Sequence, residues 1–574
     1  MISLQAFAES AYVYAVPATQ DYVQSTVFTP LGFGPSYSSI FAFPPCTTNL
    51  RLVGTGRQSL ATQAYALTVH FQEDQGFSVK TLHEWGMPYC LSMVPKKKKK
   101  NNNKEIETEM EGDGNVMTAV ARNLFPRVLE ITSPVVVVNV GCAEAVLRGS
   151  DVFAPGVVSF VGSFVAGQGV FVGVYLQPAN GSTSTGGRTD GKSLFLCVGA
   201  GTAMMDRREI IRGRQNGVAV RMNWTPMAQP SKSLLSTMLD AAMDTRLKTG
   251  IAETSNFFLQ NYSSMVAVDV LVQQFFSINI QRDGPLAFLD ACAAPGGKTS
   301  LLLSLLHEKA QGLDFYLENN DNKSSDFVFP TTFTLTCCER SKARYTRLVE
   351  LLELHFGKSI VKQVVRPFCG DVNKLQKTQR DGEVDSRWEC EFHGILLDPP
   401  CTGMGLRPKL NSHVITPQGI RDSADYQRKL FDSCANMLRR TGTSVLVYST
   451  CTITLDENEA NVLWALNKYP FLRLARAKTN ETRRLCLLAS TNFSNGCRFL
   501  LEEEIQTAQR RNELLASQIA LTGCGGTEET ENPLMILRFM PGLSTMPDED
   551  GVGFFLAVFL CHSHADEFSK HAEP

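Results

Sequence analysis

Two short runs place thiols where a folded chain has little structural need of them. Asp398-Pro399-Pro400-Cys401-Thr402-Gly403-Met404-Gly405 and Ser449-Thr450-Cys451-Thr452 each follow an apolar run that reads as a buried strand. A lone cysteine is most often a small buried hydrophobe, and Cys292, Cys337, Cys338, Cys434 and Cys561 fit that description. Cys401 and Cys451 do not, because each leaves its strand for a turn rich in Gly, Pro or Thr. Two thiols beside an aspartate suit methylation of cytosine at C5. That carbon is a poor nucleophile. A thiolate adding at C6 pushes electron density onto it, Asp398 can hold N3 and N4 of the base, and a base must then remove the C5 proton so that the thiolate can leave. Both thiols should therefore converge on one flipped pyrimidine ring, with a slot between them. The attacking thiol must be partly ionised, which Lys298 can assist. Thr454 to Glu457 matches a capping box, predicting a helix that starts there and fixes the nucleophile's turn.

A second constellation suits a nucleoside. Asp290-Ala291-Cys292-Ala293-Ala294-Pro295-Gly296-Gly297-Lys298-Thr299 joins a strand to a helix, and its two glycines permit a tight turn and close approach of a ligand. It satisfies neither the P-loop nor the dinucleotide pattern. Glu339 closes the next strand, where an acid can accept hydrogen bonds from ribose hydroxyls, and Asp371 follows Phe368-Cys369-Gly370, where an acid can reach an adenine amino group. Each acid alone reads as a surface carboxylate; a glycine turn with acids at successive strand ends reads as a pocket for a nucleoside-type cofactor.

The elements that must position these groups are legible from Leu286 onward. Ala287–Asp290, Phe333–Glu339, Gly394–Asp398 and Ser444–Thr450 read as buried strands, and Thr299–Lys309, Ser341–Phe356, Ala424–Leu438 and Asp456–Lys468 as helices. Such alternation predicts a parallel, doubly wound sheet with ligands beyond the carboxyl ends of its strands. Upstream, Val120 to Met222 is β-rich. Val135–Val140, Val157–Phe164 and Val170–Leu176 suggest a small barrel, Gly181–Lys192 a long hairpin tip, and Asp206–Glu209 the start of a short helix. Arg148, Arg207, Arg208, Arg212, Arg214 and Arg221 fall in this segment and suit phosphate and 2'-hydroxyl contacts on structured RNA; a solvated charged face is the alternative. Pro95–Gly114 is a low-complexity insertion, and Thr522–Glu531 reads as a loop. Lys96–Lys100 resembles a nuclear signal, but it merges into Asn and acidic residues and reads better as a solvated loop.

Bulk properties narrow the class without naming it. A chain of 574 residues exceeds one core. With 43% hydrophobic and 20% charged residues it has the balance of ordinary soluble domains, and a formal net charge of -2 leaves a local basic face possible. None of the 16 cysteines forms a C-x-x-C pair or a zinc-spaced set, so free thiols in a reducing compartment and no metal are expected. No leader or apolar stretch near 20 residues is seen; no membrane association and a cytoplasmic location follow as expectations.

DACAAPGGKT, LLDPPCTGMGLRP and VYSTCTITLDENEANV resemble the cofactor, proline-cysteine and nucleophile motifs of the Sun-domain (Nop/Sun) RNA cytosine-5 methyltransferases. Gly141–Ser159 and Asp206–Met222 resemble a PUA domain. Phe43–Leu52 and Phe257–Ser264 resemble the family's RNA-recognition and pre-core segments, and Gly551–Leu560 its closing strand. The PUA-like stretch points to the PUA-bearing transfer-RNA branch. Glu339 stands where the pattern usually has Asp, Pro400 where it has Ala, and Thr402 where it has Ser.

The resemblance implies an α/β Rossmann-like class I methyltransferase core with a β-barrel PUA domain and an N-terminal α+β RNA-recognition segment. It implies the divisions 1–94 (RNA-recognition-like), 95–114 (insertion), 115–223 (PUA), 224–284 (pre-core) and 285–565 (methyltransferase). S-adenosyl-L-methionine is the implied cofactor, held by Cys292, Ala293, Ala294, Pro295, Gly296, Gly297, Lys298, Glu339, Asp371 and Asp398. Cys451 is the implied nucleophile, with Cys401 assisting release and Asp398 and Lys298 completing the catalytic set. The implied partner is RNA, namely the acceptor region of transfer RNA. The competing readings are a DNA-type enzyme using Cys401 as nucleophile, a catalytically silent RNA-binding protein, and a methyltransferase of proteins or small molecules, which leaves both thiols unexplained.

Overall fold

The computed structural model describes residues 17–29, 34, 40–42, 45, 48–53, 64, 77–82, 87–95, 134–176, 194–212, 217–225, 256–278, 285–310, 333–375, 391–410, 415–440, 443–477, 479–480, 482–483, 491–492, 535–541 and 551–561. Arg214, the run from Lys96 to Gly114, Gly181–Lys192 and Thr522–Glu531 lie outside the described residues.

In chain order, a short helix α1 (Pro17–Val23) precedes β1 (Thr48–Val53), β2 (Phe77–Leu82) and β3 (Met87–Pro95). Next come β4 (Val135–Val138), α2 (Val140–Leu147), β5 (Val152–Phe153), β6 (Val157–Val161), β7 (Gly169–Leu176), β8 (Leu194–Ala203), α3 (Arg207–Arg212) and β9 (Val218–Trp224). The strands β4 to β9 form one six-stranded sheet in the order β5-β9-β8-β7-β4-β6, antiparallel except for the β4–β7 pair. The expected strand over Val135–Val140 is shorter than its apolar run. Asn139 turns the chain out of the strand, and its Oδ1 accepts from the Cys142 amide at 2.8 Å, capping α2. The run Val157–Phe164 likewise stops at Val161, because Gly162 adopts φ +81°.

Strand β10 (Asn256–Leu259) returns to the first sheet and pairs antiparallel with β1, giving the order β10-β1-β3-β2. Helix α4 (Tyr262–Ile278) follows, apolar on nearly every face, and packs against the central sheet.

That sheet contains β11 (Leu286–Asp290), β12 (Phe333–Cys338), β13 (Val365–Phe368), β14 (Gly394–Leu397), β15 (Val445–Thr450), β16 (Leu472–Leu474), β17 (Thr491–Asn492), β18 (Ile536–Phe539) and β19 (Phe554–Cys561). Its order is β13-β12-β11-β14-β15-β19-β18-β17, with β16 on β19. The five strands from β13 to β15 are parallel and β19 runs against β15. This is the expected Rossmann-like core. The order reverses between β11 and β14, the switch point where such sheets bind ligands. The intervening helices are α5 (Gly297–Ala310), α6 (Lys342–Phe356), α7 (Lys358–Val364), α8 (Pro417–Met437) and α9 (Glu459–Lys468).

Strand alternation divides the core in two. Ala287, Leu289, Ile395, Leu397, Leu446, Tyr448, Phe555 and Phe559 join one cluster with Val136, Val138 and Val172 of the six-stranded sheet. Leu286, Phe288, Leu396, Val445, Val447, Phe554 and Val558 join the other with Leu50, Leu52 and Tyr89 of the N-terminal sheet. Helices pack on the central strands, α4 against β14, β15 and β19 and α8 against β14, which is why these strands are apolar throughout rather than alternating.

Candidate active site

The two thiols meet. β14 ends at Leu397, and the next residues carry Asp398 and Cys401 past the carboxyl edge of the sheet; β15 ends at Thr450 and hands over directly to Cys451. Because β14 and β15 are adjacent and parallel, both turns leave the sheet on the same side. Cys401 Sγ and Cys451 Sγ stand 3.2 Å apart in a hydrogen bond, and both residues are half-buried. The expected convergence is present, but sulfurs in direct contact leave no slot between them. A ring must be received beside the pair.

The two thiols are inequivalent. Cys451 is held below the ordinary thiol range, chiefly by the hydrogen bond from Cys401; burial and Asp398 oppose this, and the ammonium groups of Lys298 and Lys409 reinforce it. Cys401 is pushed well up by the same hydrogen bond, by burial and by the charge of its neighbour. A thiol that shares its hydrogen bond with a second thiol and faces two ammonium groups has neighbours that favour its anion.

Lys298 and Asp398 form the other half of the site. Lys298 Nζ donates to Asp398 Oδ2 at 2.8 Å, and Ser449 Oγ donates to Asp398 Oδ1 at 2.8 Å. Burial pushes the Lys298 ammonium down, but Asp398 outweighs burial and holds it above its ordinary value. Asp290, at the end of β11, accepts from Thr299 Oγ1 at 2.7 Å and is raised to about 6 by burial. It ties the start of α5 to the strand before it.

The glycine turn sits at the switch point. Gly296 has φ +108°, a backbone conformation that demands glycine. Cys292 is half-buried, and its thiol is pushed well up by burial. Ala293 and Ala294 are buried, Pro295 is exposed, and Gly297 opens α5. Glu339 lies at the end of β12, 5% exposed, where its Oε1 accepts from the Ser341 amide at 2.7 Å and Arg344 stands 3.5 Å from Oε2. Asp371 follows β13 and accepts from the Asn373 amide at 2.9 Å and the Tyr426 hydroxyl at 2.8 Å. The Gly370 amide donates to Glu339 O at 3.0 Å, so the two acids are tied strand end to strand end.

The thiol turns rest on a buried polar network that the sequence reading did not identify. Glu457, fully buried, accepts from the Thr402 amide at 2.9 Å and hydroxyl at 2.6 Å, from Gln427 Nε2 at 2.9 Å and from Thr454 Oγ1 at 2.8 Å. Thr402 and Thr452 join hydroxyls at 2.9 Å, and Asn458 Nδ2 donates to Thr452 O at 3.1 Å. The expected capping box is thus corrected: α9 begins at Glu459, and the Thr454–Glu457 pair closes on itself as part of this hub. The signal was present in the two polar residues beside Cys451 and in Asn458, but spacing alone cannot separate a cap from a buried hub. Gly405 locks the same loops: its amide donates to Cys451 O at 3.0 Å, and a Cβ would meet Gly553 O at 2.1 Å.

A cavity of about 550 Å3 opens beside Lys298 and Asp398, bounded by the cofactor turn, the N-terminal sheet and the six-stranded module. Of the six arginines expected at an RNA surface, Arg148 lines this cavity. Arg207, Arg208, Arg212 and Arg221 are exposed on the six-stranded module, and Arg207 lies over the Phe160 ring at 5.5 Å. Among the described residues no group of His, Cys, Asp and Glu could hold a metal ion, and no helix is long and apolar enough to cross a membrane.

Comparison with known proteins gives the following. A family described as 16S rRNA methyltransferase RsmB/F matches residues 328–494. A human protein, tRNA (cytosine(72)-C(5))-methyltransferase NSUN6, is 34% identical over 347 residues, 59% of this chain and 60% of the relative. An Arabidopsis thaliana protein, rRNA (cytosine-C(5))-methyltransferase NOP2C, is 29% identical over 409 residues, 59% of this chain and 63% of the relative. The chain thus spans less than two thirds of the length of these relatives. The crystal structure of NSun6 from Pyrococcus horikoshii with SFG is similar over 95% of this chain and 98% of that one, with a TM-score of 0.55 and 22% identity.

Proposed function

We propose that this chain, whose residues 328–494 match the 16S rRNA methyltransferase RsmB/F family, is an S-adenosylmethionine-dependent RNA cytosine-5 methyltransferase acting on transfer RNA. The observation that carries the reading is the 3.2 Å contact between Cys401 and Cys451 past the ends of adjacent parallel strands, beside the Lys298–Asp398 pair.

In this reading Cys451 adds to C6 of a cytosine flipped out of its stack, at a cost of a few kcal/mol to unstack the base. Asp398, oriented by Ser449 and Lys298, accepts from the amino group at the N3/N4 edge, and the Lys298 ammonium beside it offsets the negative charge that develops on the ring. Loss of the C5 proton then returns the ring electrons and breaks the C6–S bond. Cys401, released from its hydrogen bond once Cys451 is bonded to carbon, assists that step.

S-adenosyl-L-methionine supplies the electrophilic methyl group when bound. The residues present fit it: a glycine turn whose Gly296 takes a φ of +108°, and two acids fixed at successive strand ends. Cys292 to Lys298 would surround it, Glu339 would take the ribose hydroxyls, Asp371 the adenine amino group, and Asp398 would border the reacting end. The six-stranded module, read as the PUA domain, would dock RNA through its exposed arginines. The divisions 1–94, 95–114, 115–223, 224–284 and 285–565 remain the domain assignment adopted. The free thiols suit a reducing compartment, and the cytoplasm is the location adopted.

The test is methylation in vitro. Full-length protein, S-adenosylmethionine and either unmodified transfer RNA or ribosomal RNA fragments are incubated and sequenced after bisulfite treatment. The reading expects protected cytosines in transfer RNA, abolished by Cys451→Ala. Protection only in ribosomal RNA, the substrate class named for the Arabidopsis relative, overturns the choice of substrate. Protection that survives Cys451→Ala overturns the chemistry.

A further inference from the structure

Among the residues that wall the cavity beside Lys298 and Asp398, Asn49 and Arg148 come from the two accessory modules. Asn49 lies on β1, 7% exposed, and its Oδ1 has no hydrogen-bond partner. Its backbone is fixed, since Asn49 O accepts from the Gln260 amide at 3.1 Å. A buried amide oxygen left unpaired costs about 1–3 kcal/mol, so its persistence needs a reason. Arg148, the C-cap residue of α2, reaches the same cavity from the six-stranded module, and it makes no ion pair among the described residues. The neighbouring carboxylate on its own helix, Glu144, partly offsets the burial that lowers the Arg148 guanidinium, while its Oε1 accepts from the Leu410 amide at 2.7 Å.

The two side chains define what the cavity takes. Arginine offers a planar cation suited to phosphate, and an asparagine amide pairs with a base edge or a hydroxyl. Neither Glu339 nor Asp371 lines the cavity, so its outer wall is separate from the acids that bracket the cofactor. We propose that Asn49 and Arg148 form a nucleotide subsite at the mouth of the active site, Arg148 holding a backbone phosphate and Asn49 a base edge or 2'-hydroxyl of the RNA strand that carries the target cytosine. The inference rests on the RNA-methylation reading. It makes both accessory modules walls of the substrate site, in addition to any remote docking surface.

The experiment uses the full-length protein and a short single-stranded RNA containing one cytosine, too short to span the module's exposed arginines. Wild type, Asn49→Ala, Arg148→Gln and Arg148→Lys are compared for RNA affinity by fluorescence anisotropy, for kcat and KM toward RNA, for KM toward S-adenosylmethionine, and for Tm. The expected result is a loss of about tenfold in RNA affinity and in kcat/KM for Asn49→Ala and Arg148→Gln, with partial recovery in Arg148→Lys and cofactor KM within about twofold of wild type. Unchanged RNA affinity in both variants overturns the proposal. So does a loss confined to cofactor KM, which would make the cofactor the occupant. Because Arg148 is exposed, its variants report on the subsite even if Asn49→Ala fails to fold. If the wild-type protein binds the RNA but transfers no methyl group, the methylation reading fails, and the anisotropy arm still decides the subsite.

Discussion

An ordinary cysteine is mostly protonated at neutral pH, so a thiol that must attack carbon needs neighbours that favour its anion. Cys451 has three: the donating thiol of Cys401 and the ammonium groups of Lys298 and Lys409. The consequence is a pH dependence. The rate should climb with pH as Cys451 ionises, and the climb should lie below the ordinary cysteine range. Lys298→Met removes one of the lowering charges, so the acidic limb of kcat/KM should move to higher pH, with the deficit larger at pH 6 than at pH 9. An unshifted limb would show that Lys298 does not tune the nucleophile. At this scale the sequence was informative, because Asp398, Cys401 and Cys451 sit in turns where a plain core thiol is out of place. Glu457 was not legible as a hub: its partners Thr402 and Gln427 are 55 and 30 residues away.

The turns carrying the thiols are irregular and cannot be held by strand or helix hydrogen bonds, so side chains hold them. Glu457 receives four donors from Thr402, Gln427 and Thr454. Glu457→Leu would leave them unsatisfied in the interior, which should lower stability by about 3–5 kcal/mol. Glu457→Gln, which keeps two acceptor positions at most, should lose less. Denaturant unfolding of the two variants checks the order; equal stabilities would contradict the hub. Element boundaries were legible where apolar pattern and cap coincide. β11, β12, β14 and β15 start and stop within one residue of the expected runs. Helix α8 begins seven residues earlier than its apolar pattern, at Pro417 with Thr416 Oγ1 accepting from the Gly419 amide at 3.0 Å. Its first two turns are held by that cap rather than by a buried stripe. Helix α7 escaped notice because Gly357, at φ +79°, splits one helical stretch in two.

Across the whole molecule, the accessory modules are bonded into the catalytic half. The fully buried Arg51 of β1 donates from Nη2 to Gly297 O at 2.6 Å and Ser300 Oγ at 2.7 Å, gripping the start of α5 beside the cofactor turn. The Lys409 amide donates to Phe41 O at 2.8 Å, and Glu144 of α2 holds Leu410, so the loop after Cys401 is fixed from two modules. Contacts between residues hundreds of positions apart leave no local pattern, which is why the sequence indicated separate modules but not their joints. The exposed arginines of the six-stranded module are a different surface. Reversing Arg207 and Arg208 to Glu should weaken binding of full-length transfer RNA and reduce the slope of log affinity against log salt by about one to two, because fewer counterions are released. An unchanged slope across a salt series would remove these residues from the RNA interface.

The most direct measurement concerns the bond between enzyme and RNA. Cys401→Ala and Cys451→Ala are each incubated with transfer RNA and S-adenosylmethionine and run on a denaturing gel. The account predicts a retarded protein–RNA adduct in Cys401→Ala, where Cys451 attacks but release stalls, and none in Cys451→Ala. An adduct formed by Cys451→Ala instead, or by neither variant while the wild type still methylates, would contradict it.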